Sequence, residues 1–187
     1  LPLDDAVHLV YVRSTAANGT IVELDVSEAR TAPGVVGVFT GPEIAAEMGT
    51  APNVFPMFPE ELRRPYVAIH SVKYVGQPVV AVLAETRAQA VDAAELVVVD
   101  YDFHPAVIGL EDAANDEVIL HPDFGSNVLS RMSSQQQADF SDCEVVVEAR
   151  IDNQRLTGAP IEVRGGADWW TDEGRLVHYS ACQGAHP

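Results

Sequence analysis

The side chains most able to do chemistry are six histidines, two cysteines and two acidic pairs, and their spacing predicts no catalytic centre. No two histidines form an H-x-x-x-H pair, and Cys143 and Cys182 lie too far apart for a C-x-x-C metal site. The acidic pairs at residues 4–5 and 60–61 are interpreted as solvated loop ends. We therefore predict no catalytic residue and no metal ligand, and we expect both cysteines to be buried, reduced thiols. The histidines are expected to be isolated packing or surface residues: His8, His70, His104, His121, His178 and His186.

Composition and missing motifs exclude several classes of function. The chain has no G-x-S-x-G, P-loop or G-x-G-x-x-G segment, which argues against hydrolases, nucleotidases and dinucleotide-binding proteins. Its net charge of −17, from 28 acidic against 11 basic residues, would repel a phosphate backbone, so we expect no nucleic-acid partner. No apolar run approaches the roughly 18 residues that span a bilayer, and no export signal is visible. We therefore expect a cytoplasmic protein without a membrane span.

The first part of the chain alternates predicted strands with short helices. Strands are predicted over residues 7–12, 21–26 and 35–39, and in the second of these Val22, Leu24 and Val26 would share one face. Ser27 is a predicted cap for a short helix. Thr40 and Glu43 have the spacing of a capping box, which predicts a helix that ends near residue 48. Four prolines make residues 49–65 a predicted surface loop.

The next segment reads as strand, helix, strand. Residues 79–84 are continuously apolar, which predicts a strand buried on both faces. Thr86 and Gln89 form a second candidate capping box at the start of a helix that runs to about residue 96. A strand over residues 97–101 would complete a right-handed crossover unit. The predicted apolar stripe of the helix consists of Ala90, Val91, Ala94 and Val97.

Beyond residue 104 the chain becomes loop and then β-structure. Residues 104–142 are predicted to be mostly loop, and we place the domain boundary at their end, giving domains 1–142 and 143–187. In the second domain, residues 143–150 are a predicted strand, and residues 161–170 and 176–182 a predicted hairpin. Trp169 and Trp170 are adjacent on that hairpin and should therefore point to opposite faces.

Several motifs together resemble the large subunit of the molybdenum hydroxylases, the family of xanthine dehydrogenase, aldehyde oxidase and aerobic carbon monoxide dehydrogenase. That family typically has Q-R, then P-M-E-x-R-G, then S-T-Q-x-P-H. This chain has Q-R at 154–155, P-I-E-V-R-G-G at 160–166 and S-A-C-Q-G-A-H-P at 180–187. Upstream motifs follow in the family's order, with A-P-G-V-V-G-V-F-T-G at 32–41 and Y-V-G-Q-P-V-V-A-V-L-A at 74–84.

The resemblance implies an α+β fold, in which an a/b hammerhead domain of mixed short strands and helices precedes the first strands of an incomplete molybdopterin-binding domain. In the family, the Gln of S-T-Q-x-P-H approaches the molybdenum. By motif position that residue is Gln183, with Gly184 beside it as a second cofactor-binding candidate. An amide donates a hydrogen bond without adding charge, which suits a metal with anionic ligands. Ala181 stands where the family has Thr, and Cys182 lies between it and Gln183.

The function implied by this resemblance belongs to a longer protein. We expect an N-terminal fragment of a molybdopterin-dependent oxidoreductase that hydroxylates an aldehyde or N-heterocycle, or oxidises carbon monoxide, with oxygen from water. The fragment itself is expected to be inactive and to bind no cofactor, because the pterin-binding loops and the glutamate base would lie beyond residue 187. Expected partners are the remainder of the large subunit and FAD-binding and 2Fe-2S subunits or domains, within an oligomer. The alternative is a stand-alone, non-catalytic assembly module that retains the hammerhead fold.

Overall fold

A computed structural model describes residues 5–52, 58–132, 138–154 and 156–182. Contacts divide the chain into two compact units, Leu1–Gln135 and Gln136–Pro187. The boundary expected at residues 142–143 remains a prediction. None of the helices in the described ranges has the length and apolar character needed to cross a bilayer.

The first sheet of the first unit has the order β1-β5-β3 and is antiparallel throughout. It consists of β1 (His8–Arg13), β3 (Val35–Thr40) and the central β5 (Pro78–Ala84). The continuous apolar run predicted a buried strand, and β5 confirms this, since most of its residues are buried. Burial of a valine side chain contributes about 1.5–3 kcal/mol, so this strand is a major source of the unit's stability.

The second sheet has the order β4-β2-β6, with β2 (Gly19–Asp25), β4 (Ser71–Val72) and β6 (Val98–Phe103). The prediction that Val22 shares the buried face is wrong, because its side chain is 63% exposed. The register between β2 and β6 shifts between Ile21 and Glu23, which indicates a bulge at Val22. A bulge inserts one residue and so reverses the alternation of faces, leaving Ile21 and Leu24 packed against the core.

The predicted crossover unit at residues 79–101 is also wrong. β5 belongs to the first sheet and β6 to the second, whereas a crossover unit joins parallel strands of one sheet. The intervening helix α3 (Arg87–Glu95) contacts all three strands of the first sheet. It buries Ala90 and Ala93, while Val91, assigned to the apolar stripe, is 37% exposed. The packing therefore selects the small side chains, which let the helix approach the sheet closely.

Helices α1 (Ser27–Thr31) and α2 (Gly41–Met48) lie where the sequence predicted them. The predicted cap of α2 is confirmed, and that of α1 is not. At α2, the Glu43 carboxylate accepts hydrogen bonds from the Thr40 backbone N–H (2.8 Å) and hydroxyl (2.7 Å). At α1, Ser27 does not cap with its side chain. Its backbone N–H instead donates to the Asp25 carboxylate at 2.8 Å.

The core of the first unit lies between these elements and contains mostly valine and alanine. Ser14 and Asn18 are the polar residues buried beside it among the described residues. Beyond the sheets, a 3₁₀ turn spans Glu60–Leu62 and a short helix, α4, spans Leu110–Asn115. The fully buried residues of the core include Ala29, Val72, Val79, Val80, Val82, Ala90 and Ala93.

In the second unit, the predicted hairpin is confirmed in a shorter form, β7 (Gly166–Trp170) and β8 (Leu176–Ser180). The strand predicted over residues 143–150 is wrong. These residues form no strand, and all of them are exposed. A strand requires a partner, and among the described residues no other strand pairs with this segment. Cys143 and Cys182 are both exposed, so the expectation of buried thiols is wrong as well.

Candidate functional site

Gln183 and Gly184, the predicted cofactor-binding residues, lie outside the described residues. The structure does describe the polypeptide immediately before them. The β7–β8 hairpin ends at Ser180, and the backbone N–H of Ala181 donates to the Gly165 carbonyl at 3.0 Å. This bond extends the ladder by one step and joins the P-I-E-V-R-G-G segment to the S-A-C-Q segment. Two stretches separated by some 15 residues in sequence therefore meet directly before Gln183.

The tight turn of this hairpin fixes its register. Thr171 and Arg175 are joined by a backbone hydrogen bond of 2.9 Å, and the Gly174 N–H donates to the Thr171 carbonyl at 2.9 Å. Gly174 has a φ of 75°, a left-handed conformation that glycine adopts without steric penalty. Because side chains alternate along a strand, a fixed register determines which residues share each face.

The two faces of the hairpin differ in chemistry. On one face the rings of Trp169 and Tyr179 stack, with centroids 5.1 Å apart and planes inclined by 14°. On the other face His178 Nδ1 lies 2.6 Å from Asp168 Oδ1, and the two residues are direct cross-strand partners. Trp170 is 69% exposed, which confirms that the adjacent tryptophans point in opposite directions. The His178–Asp168 pair is more than half exposed, and exposed ion pairs contribute at most about 1 kcal/mol.

Glu162 and Arg164, which belong to the second motif, lie outside the strands and are exposed. Within the described ranges, no group of three or more His, Cys, Asp or Glu side chains could hold a metal ion. The described part of the chain therefore provides a hydrogen-bonded hairpin that ends just before Gln183.

A polar cluster in the first unit was not anticipated from the sequence. Lys73, the single lysine, donates from Nζ to the Asn18 side-chain oxygen at 3.3 Å, and its backbone N–H donates to the Gln77 side chain at 2.7 Å. Burial lowers the pKa of Lys73, and Asp123 opposes that shift. Burial also lowers the pKa of His121, and the Lys73 charge lowers it further. Lys73 therefore interacts with Asn18 and acts electrostatically on the loop around His121, both far from it in the sequence.

The same loop is organised by a second set of hydrogen bonds. Asp116 has a left-handed φ of 55°, and its carboxylate accepts from the Ser126 hydroxyl and the Asn127 backbone N–H, both at 2.6 Å. The bond from the Asn127 backbone, followed by that from Ser126, lowers the pKa of Asp116. The Asn127 side chain in turn bonds Leu120 and Val118 at 2.8 Å each. The bonded residues lie 7 to 11 positions apart, a spacing that matches no helix, strand or capping pattern, so the sequence analysis did not predict this arrangement.

Comparison with known proteins finds relatives and a family model that match most of this chain. Residues 1–105 match the family model "Aldehyde oxidase and xanthine dehydrogenase, a/b hammerhead domain". The chain is 35% identical over 167 residues to 6-hydroxypseudooxynicotine dehydrogenase complex subunit gamma of Paenarthrobacter nicotinovorans, covering 84% of this chain and 21% of the relative. It is 33% identical to the nicotine 6-hydroxylase large subunit of the same organism, covering 98% of this chain and 23% of the relative.

A solved structure shows the same similarity. Quinoline 2-oxidoreductase from Pseudomonas putida 86 superposes with a TM-score of 0.88 at 29% identity, covering 98% of this chain and 24% of that chain. The chain therefore spans about a quarter of the length of the relatives it matches. The α+β architecture expected from the resemblance is confirmed.

Proposed function

Because this chain belongs to the family of aldehyde oxidase and xanthine dehydrogenase a/b hammerhead domains, we propose that it is the N-terminal part of the large subunit of a molybdopterin-dependent oxidoreductase. The reaction of the whole enzyme is hydroxylation of a carbon atom with oxygen from water. Among the substrates of this family we propose an N-heterocycle, because nicotine 6-hydroxylase and quinoline 2-oxidoreductase both bear the names of such compounds.

The observation that carries this proposal is the extent of the structural match. The match has a TM-score of 0.88 and covers 98% of this chain, including the hairpin before Gln183. It covers only 24% of the matched protein, so about three quarters of that protein lies outside the match. The remaining catalytic parts, including the general base, would lie in that further polypeptide. A metal and a positioned base are both needed to activate water. We propose that the rest of the large subunit supplies them.

The contribution of this chain to the site is one amide. Molybdopterin, when bound, supplies the redox metal, and Gln183 would donate a hydrogen bond to one of the metal's oxygen ligands. Gly184 next to it would leave room for the cofactor, because glycine has no side chain. The Ala181–Gly165 hydrogen bond holds the backbone two residues before Gln183.

The second unit supports the view that more polypeptide normally surrounds it. Six aliphatic side chains in its irregular segment are between 75% and 104% exposed, which a soluble protein avoids unless another surface covers them. Residues 143–150 have an alternating strand pattern without a strand partner among the described residues. Both features are explained if the remainder of the large subunit pairs with and covers this region. The six residues are Val145, Val147, Ile151, Leu156, Ile161 and Val163.

The proposed partners are the remainder of the large subunit and subunits or domains that carry FAD and 2Fe-2S clusters. Their role would be to remove the two electrons that each hydroxylation releases. The names of the two Paenarthrobacter relatives, "complex subunit gamma" and "large subunit", support an assembly of several polypeptides. By itself the 187-residue chain would be inactive.

A substitution at Gln183 tests the proposed role. In the assembled enzyme, we expect Gln183→Ala to lower kcat by about 10- to 100-fold while molybdenum content stays near that of the parent, because one hydrogen bond to the site is lost. The control is Glu173→Ala, an exposed residue in the hairpin turn of the same unit and outside the family motifs, which should leave kcat unchanged. Equal kcat in the two variants would refute the role of Gln183.

A further inference from the structure

The sheet β1-β5-β3 has an exposed apolar face on the side opposite the core. The register places Leu9 opposite Leu83, and Ala81 between Tyr11 and Phe39. Leu9, Tyr11 and Phe39 are 49%, 37% and 44% exposed. An antiparallel sheet that faces water on one side usually carries polar residues there. We call the side chains Leu9, Tyr11, Phe39, Ala81 and Leu83 the outer face.

The outer face is preformed and does not depend on a partner for its shape. The ring of Phe39 lies over Gly37, where a Cβ would come within 2.7 Å of a ring carbon. Gly37 therefore lets the aromatic side chain lie flat across the sheet. At the other edge the Arg13 guanidinium sits 5.7 Å from the centroid of the Tyr11 ring and donates to the Gly76 carbonyl at 2.8 Å. Tyrosine, phenylalanine and arginine are enriched where separately folded proteins meet.

A shallow acidic cleft lies at one end of the same sheet, where β1 begins and β5 ends. It is lined by Asp5, Ala6, Val7, His8, Val36 and Glu85. Val7 and Val36 are 46% and 60% exposed, so apolar walls lie beside two carboxylates. This combination suits the long stem and positive end of a lysine or arginine side chain. The net charge of −17 would also draw a partner with a basic surface.

The outer face differs from the apolar surface of the second unit. There the exposed groups are aliphatic and almost wholly uncovered, as in a core that the same polypeptide completes. On the outer face Leu9, Tyr11 and Phe39 are between 37% and 49% exposed, two of these three are aromatic, and charged residues border them, as in an interface between proteins that also exist apart. The relatives named "complex subunit gamma" and "large subunit" imply smaller polypeptides in their assemblies.

We propose that the outer face and its acidic cleft dock a smaller subunit of the same complex, one that presents an apolar patch bordered by lysine or arginine. This inference rests on the proposed function, because it takes the chain to be part of a large subunit. It adds which surface is used and what chemistry the partner must present.

The first test places a positive charge on the outer face, at Leu9 of the edge strand β1. In the assembled complex, Leu9→Lys should weaken retention of one smaller subunit by tenfold or more, because it replaces an apolar contact with a charge that repels the basic border expected on the partner. The matched control is Val22→Lys, at a more exposed valine in the other sheet, which should leave the subunit composition unchanged. Molybdenum content and the thermal unfolding of the large subunit are measured in both variants.

The second test addresses the cleft. Glu85→Lys should reduce affinity for the same smaller subunit and flatten the dependence of that affinity on salt, whereas Glu23→Lys, on β2, should do neither.

The outcomes separate this inference from the proposed function. Loss of a smaller subunit from Leu9→Lys, with molybdenum retained, supports docking at the outer face. Loss of molybdenum or unfolding of the large subunit would show that its own polypeptide covers this face, and would overturn the inference. Full retention of every subunit would overturn it too. Absence of molybdenum from the unsubstituted complex would instead contradict the proposed function.

Discussion

At the scale of single residues, the sequence patterns did not predict the polar cluster around Lys73 in the first unit. Lys73, Asn18 and His121 are far apart in the chain, yet Lys73 hydrogen-bonds Asn18 and its charge lowers the pKa of His121. Spacing rules detect metal and catalytic motifs of short range. They cannot detect a cluster whose members are brought together by folding, and so His121 was expected to be an isolated histidine.

The lowered pKa of His121 predicts a pH dependence of stability. Burial, then the Lys73 charge, favours the neutral imidazole in the folded state, so the unfolded state binds the proton at higher pH. The resulting stabilisation is complete above the ordinary pKa of 6.5 and is lost as the pH falls through the lowered folded-state value. We expect the melting temperature of His121→Gln to fall less than that of the parent between about pH 7.5 and 5.5.

The control for this prediction is His8→Gln, at the exposed start of β1. Thermal unfolding of all three proteins across the same pH range is the measurement. If the parent and His121→Gln lose stability in parallel, His121 does not carry the pH dependence.

At the scale of elements, local signals predicted where helices begin better than which side chains they bury. The Thr40–Glu43 capping box uses side chains three residues apart, so the sequence contains everything needed to anticipate it. The bulge at Val22 and the burial of Ala93 in place of Val91 depend on neighbouring strands, which no local pattern specifies. Likewise, assigning β5 and β6 to one crossover unit required knowing that they pair in different sheets.

Gly41 offers a test of how tightly these elements pack. It is the first residue of α2, and a Cβ there would overlap the backbone carbonyl of Ala68. We expect Gly41→Ala to destabilise the protein by about 2 kcal/mol or more through steric overlap, although alanine is the better helix former. The reciprocal change Ala46→Gly, at an exposed site of the same helix, should cost about 1 kcal/mol from propensity alone. Denaturant unfolding measures both, and a Gly41→Ala variant as stable as the parent would contradict the packing described.

At the scale of the whole molecule, the ordered set of motifs was more informative than any single element. Strand and helix patterns alone support a mixed α/β protein and do not specify the hammerhead, whereas the motif order identified the family that residues 1–105 match. The second unit was harder to predict, because its strand pattern at residues 143–150 calls for a partner that the described residues do not provide. The proposed role of Gln183 shares this dependence, since that role would require a bound cofactor.

The most direct test of the central claim is the molybdenum and pterin content of two purified proteins, measured by metal analysis and pterin fluorescence. One is the 187-residue chain, and the other is the longer large subunit of which we propose that it is part. We expect about one molybdenum per longer polypeptide, with turnover of an N-heterocycle, and neither metal nor turnover in the 187-residue chain. Stoichiometric cofactor or turnover in the short chain, or a longer polypeptide that never acquires molybdenum, would contradict the account.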